Sequence, residues 1–327
     1  MTAARKKIVV IGGGTGSSVA LRGLKSYDVD LTAIVTMFDS GGSTGILRDE
    51  FGYPPLGDIR QCLVALSPEE NDRVAAFNSA LDFRFDSGSS LRGHSVGNLV
   101  LAALTTVYHG VQGAIDEMSR MMQLQGQVVP VTLNEAHLCA LLVDGQVIRT
   151  ESAIDLRGGN GPRIDKVFLD ADVKANPRAL DAITNADVIL LGPGDLYTSV
   201  IPNLLVDEIR QAICDTQAPV IYACNLMTKL GETAGYSCSM FAGEVVRYIG
   251  SRKLDYLLVN TGIFSDEVLS GYADEMAAPV ELDNVDTEKF AQEIVLSDLA
   301  RAEGLKVRHN SETLARIVMS TIKHLGA

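Results

Sequence analysis

The sequence is short of positive charge. Its 327 residues include 28 lysines and arginines against 41 aspartates and glutamates, which gives a net charge of −13. Proteins that bind a nucleic-acid backbone usually present a basic face, so this balance argues against a nucleic-acid partner. A small phosphorylated ligand stays compatible with it, because local backbone amides and a few arginines can hold such a ligand.

Cysteines are few and are not spaced as metal ligands or redox pairs. None of the five forms a Cys-x-x-Cys pair, and none has zinc-ligand spacing to a histidine. We therefore expect reduced structural thiols and no metal held by cysteine. The five are Cys62, Cys139, Cys214, Cys224 and Cys238.

Long hydrophobic runs are also missing. No apolar segment approaches the roughly 18 residues of a membrane-spanning helix, and residues 1–5 are too short and polar for a signal peptide. We expect a cytoplasmic protein with no membrane partner.

Short apolar segments alternate with helical patterns along most of the chain, which is typical of βαβ units and a mainly parallel sheet. The predicted strands are Ile8–Ile11, Leu31–Met37, Val128–Leu133, Val167–Leu169, Val188–Leu191, Val220–Ala223 and Tyr256–Val259. The predicted helices are Val19–Leu24, Asp58–Leu66, Ser95–Val107, Pro177–Asn185, Ile201–Ile213, Cys238–Ile249 and Ser311–Leu325.

Residues 138–149 follow a different pattern, with two apolar segments separated by Asp144 and Gly145. An Asp-Gly turn between such segments predicts an antiparallel hairpin. The expected fold class is α/β: Rossmann-like, with a mainly parallel sheet, helices on both faces and this inserted hairpin. We expect a single large domain over residues 1–327, with a soft division at the loop-like residues 157–162.

Four glycines lie within five residues directly after the first predicted strand, in Gly12–Gly16. Glycines there let backbone N–H groups surround an anion at a helix N-terminus. The loop lacks the Gly-Lys-Ser/Thr ending of a P-loop, and Ser17 stands where the dinucleotide motif has its third glycine. The loop predicts a phosphate site, and a tight strand-to-helix turn is the alternative.

The segment Asp39–Arg48 follows the second strand, which ends near Met37 without the acidic residue that a dinucleotide fold would place there. An NAD-dependent oxidoreductase is therefore disfavoured. Asp39 precedes a run of glycines and hydroxyls that suits a hydroxylated or phosphorylated substrate, and Arg48 can offer a planar guanidinium. A long polar surface loop is the alternative.

Two further segments place polar side chains near predicted helix starts. Asp58 is placed to cap the helix that follows it, and Arg60 could face a ligand. In the second segment Ser95 can cap a helix that His94 and Asn98 flank. A histidine can act as a general acid or base near neutral pH, or as a structural hydrogen-bonding group.

The segment Gly192–Ser199 repeats the arrangement of the first loop, since a buried strand ends in glycines before a hydroxyl-rich helix start. Two such junctions would put two anion-receptive loops at the carboxyl edge of one sheet, where open α/β sheets bind ligands. Residues 225–228 and 231–233 could line the same edge, and Arg308 could supply a cation. A solvated position is the alternative for Arg308.

Taken together, these segments resemble the gluconeogenesis factor family, the bacterial relatives of 2-phospho-L-lactate transferase. The resemblance covers nearly the whole chain, and its specificity comes from the order and spacing of the motifs. They are Ile11–Gly16, Asp39–Gly45, Gly57–Cys62, Gly93–Asn98, Gly192–Ser199, Cys224–Thr228 and the pair Arg308 and His309.

The resemblance implies a Rossmann-like fold, a nucleotide over the glycine loops and a homodimer. Transferase relatives move phospholactate from a guanosine-diphosphate-linked donor to a deazaflavin alcohol with Mg²⁺. The gluconeogenesis factor members resemble binders of UDP-sugars with roles in carbon metabolism and cell shape. Whether this chain catalyses a reaction stays open at this point.

Residue roles follow from the motifs and the resemblance together. We expect Asp39 and His94 to be catalytic, with Asp39 also the one metal ligand for a possible Mg²⁺. The expected nucleotide-binding residues are Gly12, Gly13, Gly14, Thr15, Gly192, Pro193, Gly194, Tyr197, Thr198, Ser199, Asn225 and Arg308. The expected substrate-binding residues are Gly41, Gly42, Ser43, Arg48, Asp58, Arg60 and Asn98.

Ser40 is a departure from the family pattern, because many members carry a second acid or amide there. A hydroxyl is a poorer Mg²⁺ ligand than a carboxylate. This weakens the case for metal-assisted transfer and leaves nucleotide binding untouched.

Overall fold

The computed structural model describes residues 4–68, 72–86, 88, 91–159, 161–273, 275–283 and 287–324. Asn160, within the expected soft division, and Leu325, at the expected end of the last helix, lie outside the described residues. The strands are β1 Lys6–Gly12, β2 Val29–Val35, β3 Gln127–Pro130, β4 Leu138–Leu142, β5 Val147–Arg149, β6 Ile164–Leu169, β7 Val188–Leu191, β8 Val220–Ala223, β9 Leu254–Asn260, β10 Ala291–Ser297, β11 Ala300–Glu303 and β12 Lys306–His309.

The helices are α1 Thr15–Leu24, α2 Gly42–Phe51, α3 Gly57–Leu66, α4 Asp72–Asp82, α5 Val96–Val107, α6 Val111–Met122, α7 Glu151–Asp155, α8 Pro177–Thr184, α9 Ile201–Leu204, α10 Asp207–Asp215, α11 Cys238–Ile249, α12 Asp266–Ala273 and α13 Ser311–His324. A π-helical turn, Leu196–Val200, precedes α9. In the part of the chain that the structure describes, no helix is long and apolar enough to span a bilayer.

A seven-stranded parallel sheet forms the centre of the molecule, in the order β10-β9-β8-β7-β1-β2-β3. Residues 8–11 of β1 and all of β7 and β8 are buried. Strands covered on both faces need such continuous apolar segments. The expected α/β class with a mainly parallel sheet is therefore confirmed.

The strand order places β7 directly beside β1, although 175 residues separate Gly12 from Val188 along the chain. The chain runs outward from β1 to β2 and β3, then returns to the other side of β1 and continues through β7 to β10. The junction of β1 and β7 is thus a topological switch point, where the loops at the carboxyl ends open a crevice.

The expected hairpin is confirmed as β4 and β5, but it belongs to a larger unit. The segment Val167–Leu169 was assigned to the parallel sheet, and that assignment is wrong. It forms part of β6, which pairs antiparallel with β4, so β5, β4 and β6 make a separate three-stranded sheet. A short apolar strand has the same sequence pattern in either sheet, because only its partner differs.

Several helix boundaries differ from the expected ones. The segment after Asp39 is not a long loop, since α2 begins at Gly42. Helix α1 begins at Thr15 rather than Val19, and the predicted helix Ile201–Ile213 is divided into α9 and α10. Asp58 is not an N-cap, because α3 already begins at Gly57.

Candidate functional site

The two glycine loops at the switch point touch each other. A Cβ atom on Gly16 would lie 2.0 Å from the carbonyl oxygen of Pro193, and one on Gly13 would lie 2.7 Å from the Oγ of Ser199. Such distances are too short for any real side-chain carbon, so the backbones can pack this closely only because both residues are glycine. The starts of α1 and of the π-helical turn Leu196–Val200 therefore share one small space at the carboxyl edge of the sheet.

A carboxylate already lies against the first loop. The Asp58 carboxylate accepts a hydrogen bond from the backbone N–H of Gly14, and its Oδ2 lies 3.1 Å from where a Cβ on Gly13 would be. Burial raises the pKa of Asp58 to about 7, the Asp39 charge adds to this, and the Gly14 hydrogen bond opposes it. The first loop thus holds an acid whose protonated form is favoured by burial.

Asp39 lies beside Asp58 at the start of α2. Its Oδ1 accepts the backbone N–H of Gly41 at 2.8 Å, and its Oδ2 lies 3.5 Å from where a Cβ on Gly57 would be. Glu151, the first residue of α7, approaches from the antiparallel sheet and accepts the N–H of Ser40 at 3.2 Å. Burial and the Asp39 charge raise the pKa of Glu151 to about 8.

These three carboxyl groups form one cluster, which we call the carboxyl triad (Asp39, Asp58 and Glu151). The charge on Asp39 raises the pKa of both partners, so Asp39 is close enough to each of them for repulsion when both groups are ionised. Clustered carboxylate oxygens are the donor set that a hard divalent cation prefers. The oxygens of these three groups do not all lie within 4.8 Å of one another, so the triad is not a preformed cation site and Asp39 stays the one expected Mg²⁺ ligand. Glu151 was not singled out from the sequence, because it lies 112 residues from Asp39 in a segment without a motif.

Ser40 does not point toward such a cation. Its hydroxyl donates to the Oγ of Ser152 at 3.1 Å and accepts the N–H of Ser152 at 2.9 Å. These bonds attach the loop after β2 to the start of α7. The Ser40 hydroxyl, where many family members carry an acid or amide, thus helps to hold Glu151 close to Asp39.

A buried polar chain joins the starts of α2 and α5. The Nδ1 of His94 lies 2.9 Å from the Oγ of Ser43, and the amide of Asn98 donates to the same Oγ at 3.2 Å. Ser95 caps α5 by accepting the N–H of Asn98, as expected. His94 is only 7% exposed, and the Oδ1 of Asn98 is buried without a hydrogen-bond partner among the described residues. The chain lies beside Asp39, because a Cβ on Gly57 would touch both Asp39 and Asn98.

The second glycine loop is held in place by its own polar residues. Tyr197 is fully buried, and its hydroxyl is 2.9 Å from that of Tyr236. The Asn225 amide donates to the carbonyl oxygen of Gly194 at 2.9 Å. Thr198 is also buried, whereas Ser199 is partly exposed against Gly13 and Gly194. The side chains of Tyr197 and Asn225 thus support the loop, and its backbone and Ser199 face the crevice.

A lysine joins the second loop to the antiparallel sheet. Lys229 Nζ donates to the carboxylates of Asp195, at 2.8 Å, and Asp155, and it lies 2.9 Å from Oε1 of Glu232. Burial alone would lower the pKa of Lys229, but the charges of Glu232 and Asp195 outweigh it and raise that pKa. Burial raises the pKa of Glu232 to about 7. Only the segment containing Glu232 was noted in the sequence, and Lys229 carries no motif that could have revealed it.

The C-terminal pair divides into one buried and one exposed side chain. Nε2 of His309 is 3.1 Å from the carbonyl oxygen of Cys224, and burial lowers the pKa of His309 to about 4. His309 is therefore neutral at pH 7 and donates from Nε2 to the end of β8. Arg308 is exposed on β12.

Arg48 and Arg60, which were expected to bind the substrate, contact other groups of the protein. Arg48 donates to the carbonyl oxygens of Asp39, at 3.5 Å, and Ala136, at 2.7 Å, so it braces the loop that carries Asp39. Arg60 is buried and pairs with Asp82. Thr15 donates its hydroxyl to Gln61 of α3 at 2.8 Å, and its backbone stays in the first glycine loop.

The sequence matches one protein family and several of its members. The family profile described as "2-phospho-L-lactate transferase CofD" matches residues 8–300. This chain belongs to that family. Within it, the gluconeogenesis factor of Bacillus subtilis is 38% identical over 320 residues, which is 98% of this chain and 99% of that protein. The gluconeogenesis factor of Halalkalibacterium halodurans is 40% identical over 316 residues, 96% of each chain.

A solved structure of a family member has the same fold. The crystal structure of protein BH3568 from Bacillus halodurans superposes with a TM-score of 0.91 at 39% sequence identity, covering 97% of this chain and all of that one. The resemblance stated from the motifs is therefore confirmed at the level of family and fold.

Proposed function

We propose that the crevice between the two glycine loops binds a nucleoside diphosphate sugar, with a UDP-sugar such as UDP-N-acetylglucosamine as the leading candidate. The observation that carries the proposal is the contact of Gly13 and Gly16 with the second loop at the β1–β7 switch point. Two helix starts then offer their amides to one ligand, as a diphosphate requires. In this proposal the protein, acting as a homodimer, senses the nucleotide sugar and influences carbon metabolism and cell shape.

The position of Asp58 refines how the diphosphate would sit. Because the Gly14 amide is already bonded to Asp58, an anion on the first loop either displaces that carboxylate or requires its protonation. A pKa of about 7 makes protonation inexpensive near neutral pH. In the second loop the Gly192 N–H donates to the carbonyl oxygen of Ile11 at 2.8 Å, but no carboxylate is bonded to Gly194 among the described contacts. We therefore assign the main phosphate contacts to residues 194–199 and the sugar hydroxyls to Asp39 and Asp58.

Arg308 provides the sharpest test of this binding mode. Its exposed guanidinium can make a charge-assisted hydrogen bond to the diphosphate, and loss of such a bond costs about 1.5–3 kcal/mol. We expect Arg308→Ala to weaken UDP-N-acetylglucosamine binding by roughly 10- to 150-fold in isothermal titration calorimetry. Arg316→Ala, which removes an equal charge from an exposed position on α13, is the matched control. Equal affinity of Arg308→Ala and the wild type would remove Arg308 from the site.

The position of Asp39 at the start of α2 supports a second candidate function, a transferase that moves a phospho-acid from a nucleoside diphosphate donor to an alcohol. The acceptor oxygen would bond to the phosphorus of the phospho-acid as the bond from that phosphorus to the bridging oxygen breaks, and a nucleoside monophosphate would leave. Asp39 would hold Mg²⁺, which would neutralise charge on that leaving group. The chain's own part is to position the acceptor hydroxyl at Asp39 and to stabilise charge on the leaving group with the loop amides. Turnover that needs Mg²⁺ and disappears in Asp39→Asn would establish this function. Absence of turnover with both uridine- and guanosine-linked donors would leave the sensor function.

A further inference from the structure

A second polar cavity opens on the side of α3 that carries Arg60. Its volume is about 300 Å³, and it lies between the helices α1 and α3 and the segment that follows α4. Three of its seven lining residues are arginines and one is an aspartate, in a protein whose net charge is −13. The lining residues are Thr15, Arg22, Arg60, Gln61, Val64, Asp82 and Arg84.

The floor of this arginine pocket is a buried guanidinium with unused hydrogen-bonding capacity. The Arg60 side chain is 6% exposed, and its Nη1 pairs with Asp82. Its Nε is buried and has no hydrogen-bond partner in the described part of the chain. This Nε is covered by protein atoms, so Arg60 contributes to the pocket through the charge of its guanidinium.

The rim is formed by two exposed arginines from different elements. Arg22 lies seven residues after Thr15 on α1, which puts both on one face of that helix. Arg22 has no ion pair among the residues described, and Arg84 uses one guanidinium nitrogen to donate to the carbonyl oxygen of Gly93 at 3.0 Å. Burial and the neighbouring charge of Arg84 lower the pKa of Arg60 to about 10. Arg60 and Arg84 are therefore close enough to repel one another, and an anion in the pocket would relieve that repulsion.

We propose that the arginine pocket binds the phosphate group of a small phosphorylated metabolite, independently of the nucleotide crevice. Three guanidiniums and one carboxylate leave two positive charges in excess, which matches the charge of about −1.5 to −2 on a phosphate monoester at pH 7. Guanidinium forks bind phosphate oxygens in pairs, and Arg22 and Arg84 present such forks at the entrance. A volume of about 300 Å³ is at the small end of ligand pockets, so it suits a short metabolite rather than a nucleotide.

The test uses the full-length protein with inorganic phosphate and glycerol 3-phosphate as probes, titrated calorimetrically at constant ionic strength. We expect saturable binding in the wild type and at least tenfold weaker binding in the double variant Arg22→Gln/Arg84→Gln. Both positions are exposed, so the double variant should fold normally. Arg120→Gln, which removes one positive charge at an exposed position on α6 outside the pocket lining, should bind the probes like the wild type.

Two further measurements separate this site from the nucleotide crevice. Arg308→Ala should bind glycerol 3-phosphate unchanged, and Arg22→Gln/Arg84→Gln should bind UDP-N-acetylglucosamine unchanged. The proposal fails if phosphate binding is not saturable, if it survives the double variant, or if Arg120→Gln weakens it equally. It also fails if citrate binds in the pocket and the phosphates do not, because the preferred anion would then be a carboxylate.

Discussion

At the scale of single residues, glycines decide how closely the two loops approach. The run of glycines in the sequence predicted a phosphate site or a tight strand-to-helix turn, but not which protein groups would pack against the loop. Gly14 is packed against Asp58, whose Oδ1 would lie 2.5 Å from a Cβ on Gly14, and Gly16 is packed against the carbonyl of Pro193. Both partners are distant in sequence, and no local pattern specifies a contact between separate elements. This is why Asp58 was predicted as a helix cap.

The close contact at Gly16 predicts a large effect from a single methyl group. In Gly16→Ala the new Cβ would lie 2.0 Å from a backbone oxygen that cannot rotate away. We expect the free energy of unfolding to fall by about 1–3 kcal/mol, the usual cost of overpacking, and nucleotide binding to fall with it. Urea denaturation and calorimetry would measure the two effects.

Gly158→Ala is the matched control for this substitution. A Cβ at Gly158 would meet no atom within 4 Å, so the same chemical change should leave both quantities near the wild-type values. Equal losses in the two variants would show that the loops can separate to accept a side chain at Gly16.

At the scale of secondary-structure elements, the antiparallel sheet is joined to the crevice by a few polar contacts. Its hairpin was predictable from Asp144 and Gly145, since the turn chemistry is local. Its attachment was not, because Lys229 and Glu151 act across more than 70 residues of sequence. Lys229 joins Asp155 at the end of α7 to Asp195 in the second loop.

Removal of the Lys229 charge should destabilise the protein, because it leaves three carboxylates facing one another. Loss of one partner of a fully buried ion pair costs about 3–5 kcal/mol. The Lys229 side chain is 30% exposed, so we expect the lower end of that range in Lys229→Met. Glu232→Gln added to this variant should restore part of the loss, since Glu232 is the most buried of the three.

Lys166→Met, an exposed position on β6, is the control for the loss of a lysine charge. Thermal and urea denaturation at pH 7 would compare the four proteins. Equal stability of Lys229→Met and the wild type would mean that solvent already screens the three carboxylates.

At the scale of the whole molecule, three carboxyl groups with raised pKa values set the dependence of stability on pH. Burial raises the pKa of Asp58 and Glu232 to about 7 and that of Glu151 to about 8, well above the ordinary pKa of an aspartate or a glutamate. Between about pH 5 and pH 8 the folded state therefore binds more protons than the unfolded state. Its free energy of unfolding must fall as the pH rises through this range.

Urea denaturation at pH 5, 6.5 and 8 would measure this slope. We expect it to be clearly smaller in the double variant Asp58→Asn/Glu151→Gln, because two of the three groups no longer lose a proton on unfolding. Repulsion among the exposed charges of this protein, whose net charge is −13, also lowers the free energy of unfolding at high pH. Added salt screens exposed charges more than buried ones, so a measurement at high salt isolates the contribution of the buried carboxyl groups. An unchanged slope in the double variant at high salt would contradict the pKa assignments.

The parallel sheet itself was largely predictable at this scale, since six of its seven strands have continuous apolar segments. The exception, β10, has a mixed burial pattern with exposed Gln292 and Glu293, and such a segment does not stand out from a loop. The short hairpin of β11 and β12 was missed for the same reason, since most of its residues are exposed. Strands at the margin of a fold lack the hydrophobic pattern on which prediction depends.

The two outermost strands of the parallel sheet also limit how copies of this protein can associate. The edge strand β3 is only four residues long and ends in Pro130, which has no N–H to donate to a further strand. On the opposite margin, β10 carries the polar residues Gln292 and Glu293. Short, proline-bearing or charged margins discourage the addition of strands from another chain. In the proposed homodimer the two subunits would therefore meet through helices and loops rather than by extending the sheet, and the same edges oppose strand-mediated aggregation of the folded protein.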